Sequence, residues 1–149
     1  MKKILSIVLI MIAVLPILTG CTASTFKSYT YKVETGDKIK IKMDTNDGYD
    51  LSKDLPFTIS KDDTELSKGT FLKEEGYSYY DAAIKNDKLA KVIDSGTKDK
   101  IDYTFYTFNN TEYNYLIKVK DSKTGLIIVN KNSDSEAKEI FERLTITKE

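Results

Sequence analysis

The stretch that decides the fold is KIDYTFYTFNNTEYNYLIKVKDSKTGLIIVN, residues 100–130. Apolar and polar residues alternate over residues 101–107 and again over residues 113–119, which is the pattern of strands that bury one face. The loop between them, Asn109-Asn110-Thr111, is rich in asparagine, which tolerates the positive φ that so short a loop requires. The stretch therefore predicts an antiparallel hairpin, and residues 126–129 predict a third strand that follows Gly125.

The register of this hairpin follows from its apolar pattern. A three-residue loop gives four opposed pairs: Phe108 with Glu112, Phe105 with Tyr115, Tyr103 with Ile117, and Asp102 with Lys118. A shift by one residue would bring Tyr103 beside Lys118, and such a shift moves every side chain to the other face. We therefore expect the unshifted register, with Tyr103 and Tyr115 in the core.

The second face of these strands is apolar as well. We assign to it Tyr106, Phe108, Leu116, Leu126 and Ile128. An antiparallel sheet that is wet on one side would carry more polar residues there. We therefore expect another layer of structure to cover this face.

The chain before this stretch predicts two further hairpins and a short helix. The predicted strands are residues 29–33, 38–43, 57–59 and 65–72. Residues 79–86 predict a helix with Ser78 as its N-cap, and residues 44–50 predict a loop. Residues 89–94 fit either a helix or a strand.

The end of the chain predicts a capped amphipathic helix. Ser133 and Glu136 have the spacing of a capping box. An apolar stripe follows at helical spacing: Ala137, Ile140, Phe141 and Leu144. With an edge strand over residues 145–147, the predicted fold is α+β: an antiparallel sheet of two hairpins and a three-stranded meander, on which a short central helix and a C-terminal helix pack.

This order of elements resembles the PsbP-like α/β/α sandwich, a family named for a subunit of the oxygen-evolving complex of photosystem II. The resemblance is carried by TGLIIVNKNSDSEAKEIFERLTI, residues 124–146, in which a strand is followed by a helix opened by Ser-x-x-Glu and then by a short strand. It covers roughly residues 29–147. It implies a non-enzymatic binding or assembly domain with helices on both faces of the sheet.

The first residues have the layout of a secretory signal peptide. Lys2 and Lys3 precede an apolar run over residues 4–15, and small residues follow it. A membrane-spanning helix needs about 20 apolar residues, and this run is shorter.

Leu18-Thr19-Gly20-Cys21 resembles the bacterial lipobox. The resemblance implies cleavage after Gly20 and a diacylglycerol on the thiol of Cys21, with further acylation giving a stable membrane anchor. The expected organisation is a cleaved signal peptide (1–20), a lipidated cysteine and short tether (21–28) and a single globular domain (29–149). The expected location is the extracytoplasmic face of the cell membrane of a bacterium, most consistent with a Gram-positive one.

The composition excludes several functions. The chain has no histidine and only one cysteine, so it lacks the residues of Ser-His-Asp and Cys-His catalytic sets and of the usual zinc sites. Its 23 basic and 23 acidic side chains balance, and no basic run favours nucleic acid. We expect a protein that is not an enzyme and that has no cofactor besides the covalent lipid.

Three kinds of site are nevertheless worth testing. Asp44, Asn46 and Asp50 alternate as calcium ligands do, but the EF-hand pattern is not completed and a solvated turn explains them equally well. Acidic side chains are plentiful enough for a carboxylate-dependent hydrolase, although no catalytic pair can be selected. Tyrosine is enriched at interfaces, and we expect Tyr77, Tyr79 and Tyr106 to be partly exposed on an interaction surface.

The leading hypothesis is a membrane-anchored, non-catalytic lipoprotein that binds an envelope protein or peptide, or acts as an accessory subunit. The first alternative is a lipoprotein that binds a small ligand or calcium. A carboxylate-dependent cell-wall hydrolase ranks last.

Overall fold

The computed structural model describes residues 25–149 of the 149-residue chain. The predicted signal peptide, the lipobox and Cys21 lie outside the described residues. The elements follow in the order β1 (Phe26–Lys32), β2 (Lys38–Asp44), β3 (Tyr49–Leu51), β4 (Phe57–Lys61), β5 (Thr64–Leu72), α1 (Glu74–Asn86), β6 (Ala90–Lys98), β7 (Ile101–Phe108), β8 (Glu112–Val119), β9 (Gly125–Asn130), α2 (Asp134–Glu142) and β10 (Leu144–Lys148). The predicted α+β class is confirmed. Neither α1 nor α2 has the length and apolarity to cross a membrane.

The strands form two antiparallel sheets. The small sheet has the order β1–β2–β10, and the large sheet has the order β3–β4–β5–β9–β8–β7–β6. The last strand, β10, pairs with β2, although most of the described chain lies between them. The chain therefore enters and leaves the described structure through the same small sheet.

The central hairpin has the predicted register. β7 and β8 pair with Phe105 opposite Tyr115 and Asp102 opposite Lys118. Asn109 and Asn110 adopt φ values of 52° and 55°, as the loop requires. This register places Phe105, Tyr115 and Ile117 on one buried face.

The main core lies between the two sheets and includes one face of α2. Ile41 of β2 and Ile117 of β8 are fully buried in it. From α2, Phe141 stacks on Tyr115 with ring centroids 4.1 Å apart. Tyr115 is buried as predicted, and Tyr103 packs against the same core while remaining partly exposed.

Helix α2 is held at both ends. The Ser133 hydroxyl accepts a hydrogen bond from the Glu136 amide at 3.3 Å, which confirms the serine half of the predicted capping box. At the other end, the ammonium of Lys98 on β6 donates to the carbonyls of Phe141 and Glu142 at 2.8 and 3.0 Å. A cation at the C-terminal end of a helix also interacts favourably with the helix dipole.

Helix α1 covers the outer face of the large sheet, where Ile84 packs on Tyr106 and Leu116. The expected second layer is therefore present, and with α2 on the opposite face the large sheet has a helix on each side. The assignment of Leu126 and Ile128 to the outer face is wrong. They lie opposite Ile117 and Tyr115 and share the core face. The turn before β9 determines which residues of this strand lie on each face of the sheet, and it places Ile127 on the face covered by α1.

Several boundaries differ from the prediction. Helix α1 begins at Glu74, so Ser78 lies inside it, and Lys73 at the N-cap makes no side-chain capping bond. The ambiguous residues 89–94 belong mostly to strand β6. Strand β1 begins at Phe26, so residues 26–28 of the expected tether belong to the small sheet. Part of the predicted loop 44–50 forms a 3-10 turn followed by β3.

Candidate functional site

A groove lies between the C-terminal half of α1 and the outer face of the large sheet. We call it the α1 groove. Its volume is ≈ 360 Å³ and its lining residues are Tyr79, Tyr80, Ala83, Ile84, Asp87, Ala90, Tyr106, Phe108, Glu112, Asn114, Ile127 and Val129. Aromatic and aliphatic side chains dominate this lining, as they do in most ligand sites.

The groove exists because α1 is anchored on only part of the sheet. Tyr77 lies directly over Gly125 of β9, where an added Cβ would approach the tyrosine Cβ to 3.0 Å. The ammonium of Lys118, the ladder neighbour of Gly125, lies over the Tyr77 ring, 5.3 Å from its centroid. Tyr77 is therefore a packing residue that holds the N-terminal half of α1, and the sheet beyond the helix remains accessible.

The three tyrosines predicted for an interaction surface have different environments. Tyr79 is 72% exposed and lies at the rim of the α1 groove, in edge-to-face contact with Tyr80. Tyr77 is half-buried, as expected, but is held against the sheet. The expectation that Tyr106 is partly exposed is wrong: only 5% of it is exposed because α1 covers it. Tyr106 forms the floor of the groove.

The groove has an acidic rim. Asp87 and Glu112 line it, and no lysine or arginine of residues 25–149 does. Within residues 25–149 neither carboxylate forms an ion pair, although Asp87 accepts a hydrogen bond from the Leu89 amide at 2.8 Å. Burial raises the pKa of Tyr106 to about 12, so its hydroxyl is neutral at physiological pH. The site combines aromatic faces with uncompensated negative charge, which suits a cation attached to an apolar body.

The apolar surface continues beyond the groove onto β6, an edge strand of the large sheet. Val92 lies opposite Tyr106 and Ala90 lies opposite Phe108, so both share the face of the groove. Leu89, Val92 and Phe108 are exposed. The sequence prediction did not identify this surface because residues 89–94 did not distinguish helix from strand.

The candidate calcium residues are engaged by their own chain. Asp44 accepts a hydrogen bond from the Asn46 amide at 2.9 Å, and Asn46 accepts one from the Thr25 hydroxyl at 3.1 Å. Asp50 forms an ion pair with Lys27, and that contact lowers the pKa of its carboxyl group. Among residues 25–149 no group of three or more His, Cys, Asp or Glu side chains is arranged to hold a metal ion.

Arg143, the single arginine, fastens this same loop to α2. Its guanidinium contacts Asp47 at 2.7 Å and Glu139 at 3.1 Å, and it donates to the Asn46 carbonyl at 3.1 Å. It also stacks over the ring of Tyr49, 4.2 Å from the centroid. The loop at residues 44–50 is therefore a packed structural element.

The carboxylates with displaced pKa values in residues 25–149 are all shifted downward. They are Glu34, Asp37, Asp50, Asp102, Glu139 and Glu149. In each case the largest cause is a hydrogen bond from a neighbouring lysine, threonine or arginine side chain. A general acid needs a raised pKa, so these six groups are poorly suited to that role.

A second groove of ≈ 360 Å³ lies where β1 and β5 end. We call it the β5 groove. Its residues include Val33, Leu55, Phe71 and Thr124, and an ion pair between Lys73 and Glu34 at 2.8 Å lies on its rim. In the described part of the chain, its lining includes neither a tyrosine nor an unpaired carboxylate, unlike that of the α1 groove.

The lipobox residues Leu18, Thr19 and Gly20, together with Cys21, lie outside the described residues, so the lipid anchor stays a prediction. Comparison of the chain with protein-family models, with curated proteins and with solved structures finds no match.

Proposed function

We propose that this protein is a membrane-anchored extracytoplasmic lipoprotein whose globular domain binds an envelope protein or peptide without catalysing a reaction. The α1 groove is the binding site in this proposal. The partner presents a cationic side chain with an apolar stem, which lies between the aromatic rings and the acidic rim.

The observation that carries the proposal is the composition of this groove. Tyr79 is largely exposed to solvent, and Glu112 and Asp87 lie nearby without a basic neighbour in the lining. An exposed tyrosine loses little rotamer freedom when it is covered, and it joins apolar area to a polar tip. Such residues are the usual anchors of protein interfaces.

A binding role also agrees with the chemistry of the chain. There is no histidine to act as a general base, and the displaced carboxylate pKa values are lowered, which does not favour a cell-wall hydrolase. The Asp44–Asp50 loop is fastened by Arg143 and Lys27, which does not favour a calcium protein.

The lipid anchor is tested by Cys21→Ser in intact cells. The expected result is transfer of the protein from the membrane fraction to the medium, since the variant has no thiol to carry the lipid. A variant that stays in the membrane fraction under detergent-free conditions contradicts the anchor.

The groove is tested with a photo-crosslinking amino acid at Tyr79 in the full chain, with the same probe at Leu55 as the matched control. Leu55 is also exposed but lies on the β5 groove. A discrete crosslinked species is expected from Tyr79 only, and the pair Asp87→Asn and Glu112→Gln should weaken it. Equal crosslinking at both positions, or substrate turnover by the purified chain, contradicts the proposal.

Small-ligand binding is the second candidate, and the β5 groove favours it. Its ≈ 360 Å³ lies at the lower end of the range of ligand sites. Saturating ligand would raise the melting temperature of the purified chain. Leu55→Ser should abolish that rise if the β5 groove is the site, whereas Tyr79→Ser should leave it unchanged.

A further inference from the structure

We infer that the outer face of the small sheet docks on an anionic lipid bilayer. We call it the basic face. It comprises every second residue of the three strands: Phe26, Ser28, Thr30 and Lys32 of β1, Lys38, Lys40, Lys42 and Asp44 of β2, and Thr145 and Thr147 of β10. The inference rests on the lipid anchor of the proposed function.

Four lysines give this face its positive charge, and most of them have no carboxylate partner within residues 25–149. Lys32 lies directly opposite Lys38 in the β1–β2 ladder, where like charges destabilise a pair of strands. Lys40 pairs with Glu149 at 3.2 Å. The other three form no ion pair within residues 25–149. A negatively charged surface in front of the sheet would relieve this repulsion.

The rest of the molecule is oppositely charged. Residues 25–149 carry 21 basic and 23 acidic side chains, a net charge of −2, so the basic face stands out against an acidic body. This asymmetry orients the molecule: the basic face is attracted to an anionic surface while the remainder is repelled. The α1 groove lies beyond the large sheet, on the opposite side of the main core, and in this orientation it points away from the membrane.

The chain enters the structure at one end of this same face. Phe26 begins β1 and is 51% exposed, and the Lys42 ammonium lies over its ring, 4.0 Å from the centroid. Only four residues lie between Cys21 and Phe26, and the five residue steps from one to the other reach about 17 Å when extended. An exposed aromatic ring next to a lysine is a typical pairing at the headgroup level of a bilayer.

The surface charge of a membrane acts within about a Debye length, roughly 8 Å at physiological salt. The short tether allows the face to enter this layer. The exposed side chains of Ser28 and Thr145 flank Lys42 on its two sides and add hydroxyl donors for phosphate oxygens. Each lysine near such a surface contributes roughly a fivefold gain in partitioning.

The test measures lysine accessibility in the lipidated mature protein, which is expected to begin at Cys21. The protein is reconstituted into vesicles of phosphatidylcholine alone and into vesicles with one third phosphatidylglycerol. Brief acetylation and mass spectrometry then give the labelling rate at each lysine. We expect Lys38 and Lys42 to be labelled at least fivefold more slowly in the anionic vesicles, and high salt to abolish the difference. Exposed Lys88 and Lys91, which lie outside the basic face, should not change.

Two triple variants each remove three positive charges, one variant from the basic face and the other from residues outside it. Lys38→Gln, Lys40→Gln and Lys42→Gln together should abolish the protection of Lys32, whereas Lys88→Gln, Lys91→Gln and Lys131→Gln together should preserve it. Thermal melting checks that both variants remain folded. Equal labelling of the basic face in the two kinds of vesicle overturns the inference.

Two further outcomes are informative. Protection by a soluble glycerol-phosphate polymer that exceeds the protection by anionic vesicles, at matched phosphate concentration and with neutral vesicles, would assign the face to a cell-wall polymer and also overturn the inference. If neither kind of vesicle retains the protein, the anchor fails and the proposed function fails with it. The retained fraction and the labelling pattern are separate readouts, so the two failures are distinguishable.

Discussion

At the level of single residues, a few close contacts hold neighbouring elements of the fold together. Gly69 of β5 lies under the ring of Phe57 of β4, and Arg143 holds the loop at residues 44–50 against α2. Asp37 receives four contacts: from Lys148 at 3.0 Å, from the Lys123 amide at 3.0 Å, and from the hydroxyls of Thr124 and Thr35 at 3.0 and 3.3 Å. These contacts lie away from the α1 groove and contribute to stability, so each can be tested by the effect of a substitution on the free energy of unfolding.

We predict opposite effects for two glycine substitutions. Gly69→Ala should lower the free energy of unfolding by about 1–3 kcal/mol, because the new Cβ would overlap the Phe57 ring. Gly76→Ala should raise it by about 0.4–1 kcal/mol, because Gly76 lies in α1 and its nearest neighbour, Leu72, would be 3.7 Å away. Denaturant unfolding measures both values. A neutral Gly69→Ala would contradict the close packing of Phe57.

Protonation of Asp37 should account for part of the loss of stability of the fold in acid. The ammonium of Lys148, with the Lys123 amide and the Thr124 hydroxyl, lowers the pKa of its carboxyl group below the ordinary 3.8. The folded state therefore favours the ionised form. The resulting stabilisation is complete above the ordinary pKa and is lost as the pH falls through the folded-state pKa.

Asp37→Asn should therefore lower stability at neutral pH by about 1–2 kcal/mol and flatten the loss of stability below pH 4. Unfolding curves between pH 2 and pH 7 measure this. Asp99→Asn is the control, since it removes the same charge from an exposed turn with a positive φ that asparagine accepts. Parallel pH profiles for the two variants would contradict the role of Asp37.

Among the helices and strands, alternation of apolar and polar residues predicts a strand that has one buried face. It does not predict a strand that is exposed on both faces. The β7–β8 register follows from residues such as Phe105 and Tyr115 because a slip would exchange the two faces. Strand β6 is exposed along nearly its whole length, so it has no alternation to detect. The buried state of Tyr106 depends on how α1 docks, and no pattern within β7 contains that information.

The start of helix α1 also could not be predicted from the local sequence. The sequence predicts a helix over residues 79–86, but the observed start at Glu74 has no capping side chain to mark it. The helix is positioned instead by Tyr77 against Gly125, a contact between residues far apart in sequence. Of the three tyrosines predicted for an interaction surface, Tyr79 and Tyr106 line the α1 groove, and only Tyr79 is exposed as expected.

We predict that two serine substitutions will separate a true helix cap from an apparent one. Ser133→Ala should lower stability by about 1 kcal/mol, since its hydroxyl caps α2. Ser78→Ala should be neutral or stabilise by up to about 0.5 kcal/mol, because Ser78 is an exposed residue inside α1 and alanine is the better helix former. Chemical denaturation compares the two. Equal losses would contradict the observed start of α1.

At the scale of the whole molecule, both sheets share one core. Ile39 and Met43 of the small sheet are fully buried, as are Phe57 and Leu126 of the large sheet, and all belong to the same cluster. The division into two sheets could not be read from the sequence, because it depends on β10 returning to β2 across the whole domain. Neither sheet can keep its inner face dry without the other.

We therefore predict a single cooperative unfolding transition for residues 25–149. Far-ultraviolet circular dichroism, which reports both sheets, should coincide with tyrosine fluorescence, which reports mainly the large sheet. Ile41→Ala in the small sheet and Ile117→Ala in the large sheet should each shift both signals together, by about 2–5 kcal/mol. Separate transitions for the two probes would show that the sheets unfold independently.

The path of the chain through the small sheet also determines how the molecule responds to mechanical force. Strand β1 begins at the end nearest the predicted anchor and is bonded along its length to β2, from Phe26 opposite Asp44 to Lys32 opposite Lys38. In the proposed orientation, tension between the anchor and a partner bound in the α1 groove acts across the two sheets, because the groove lies beyond the large sheet. The load reaches β1 first at Phe26 and pulls this edge strand out of the plane of the small sheet. The rungs of the β1–β2 ladder then break one after another from Phe26 toward Lys32, so the first strand is the part of the domain that yields first to traction.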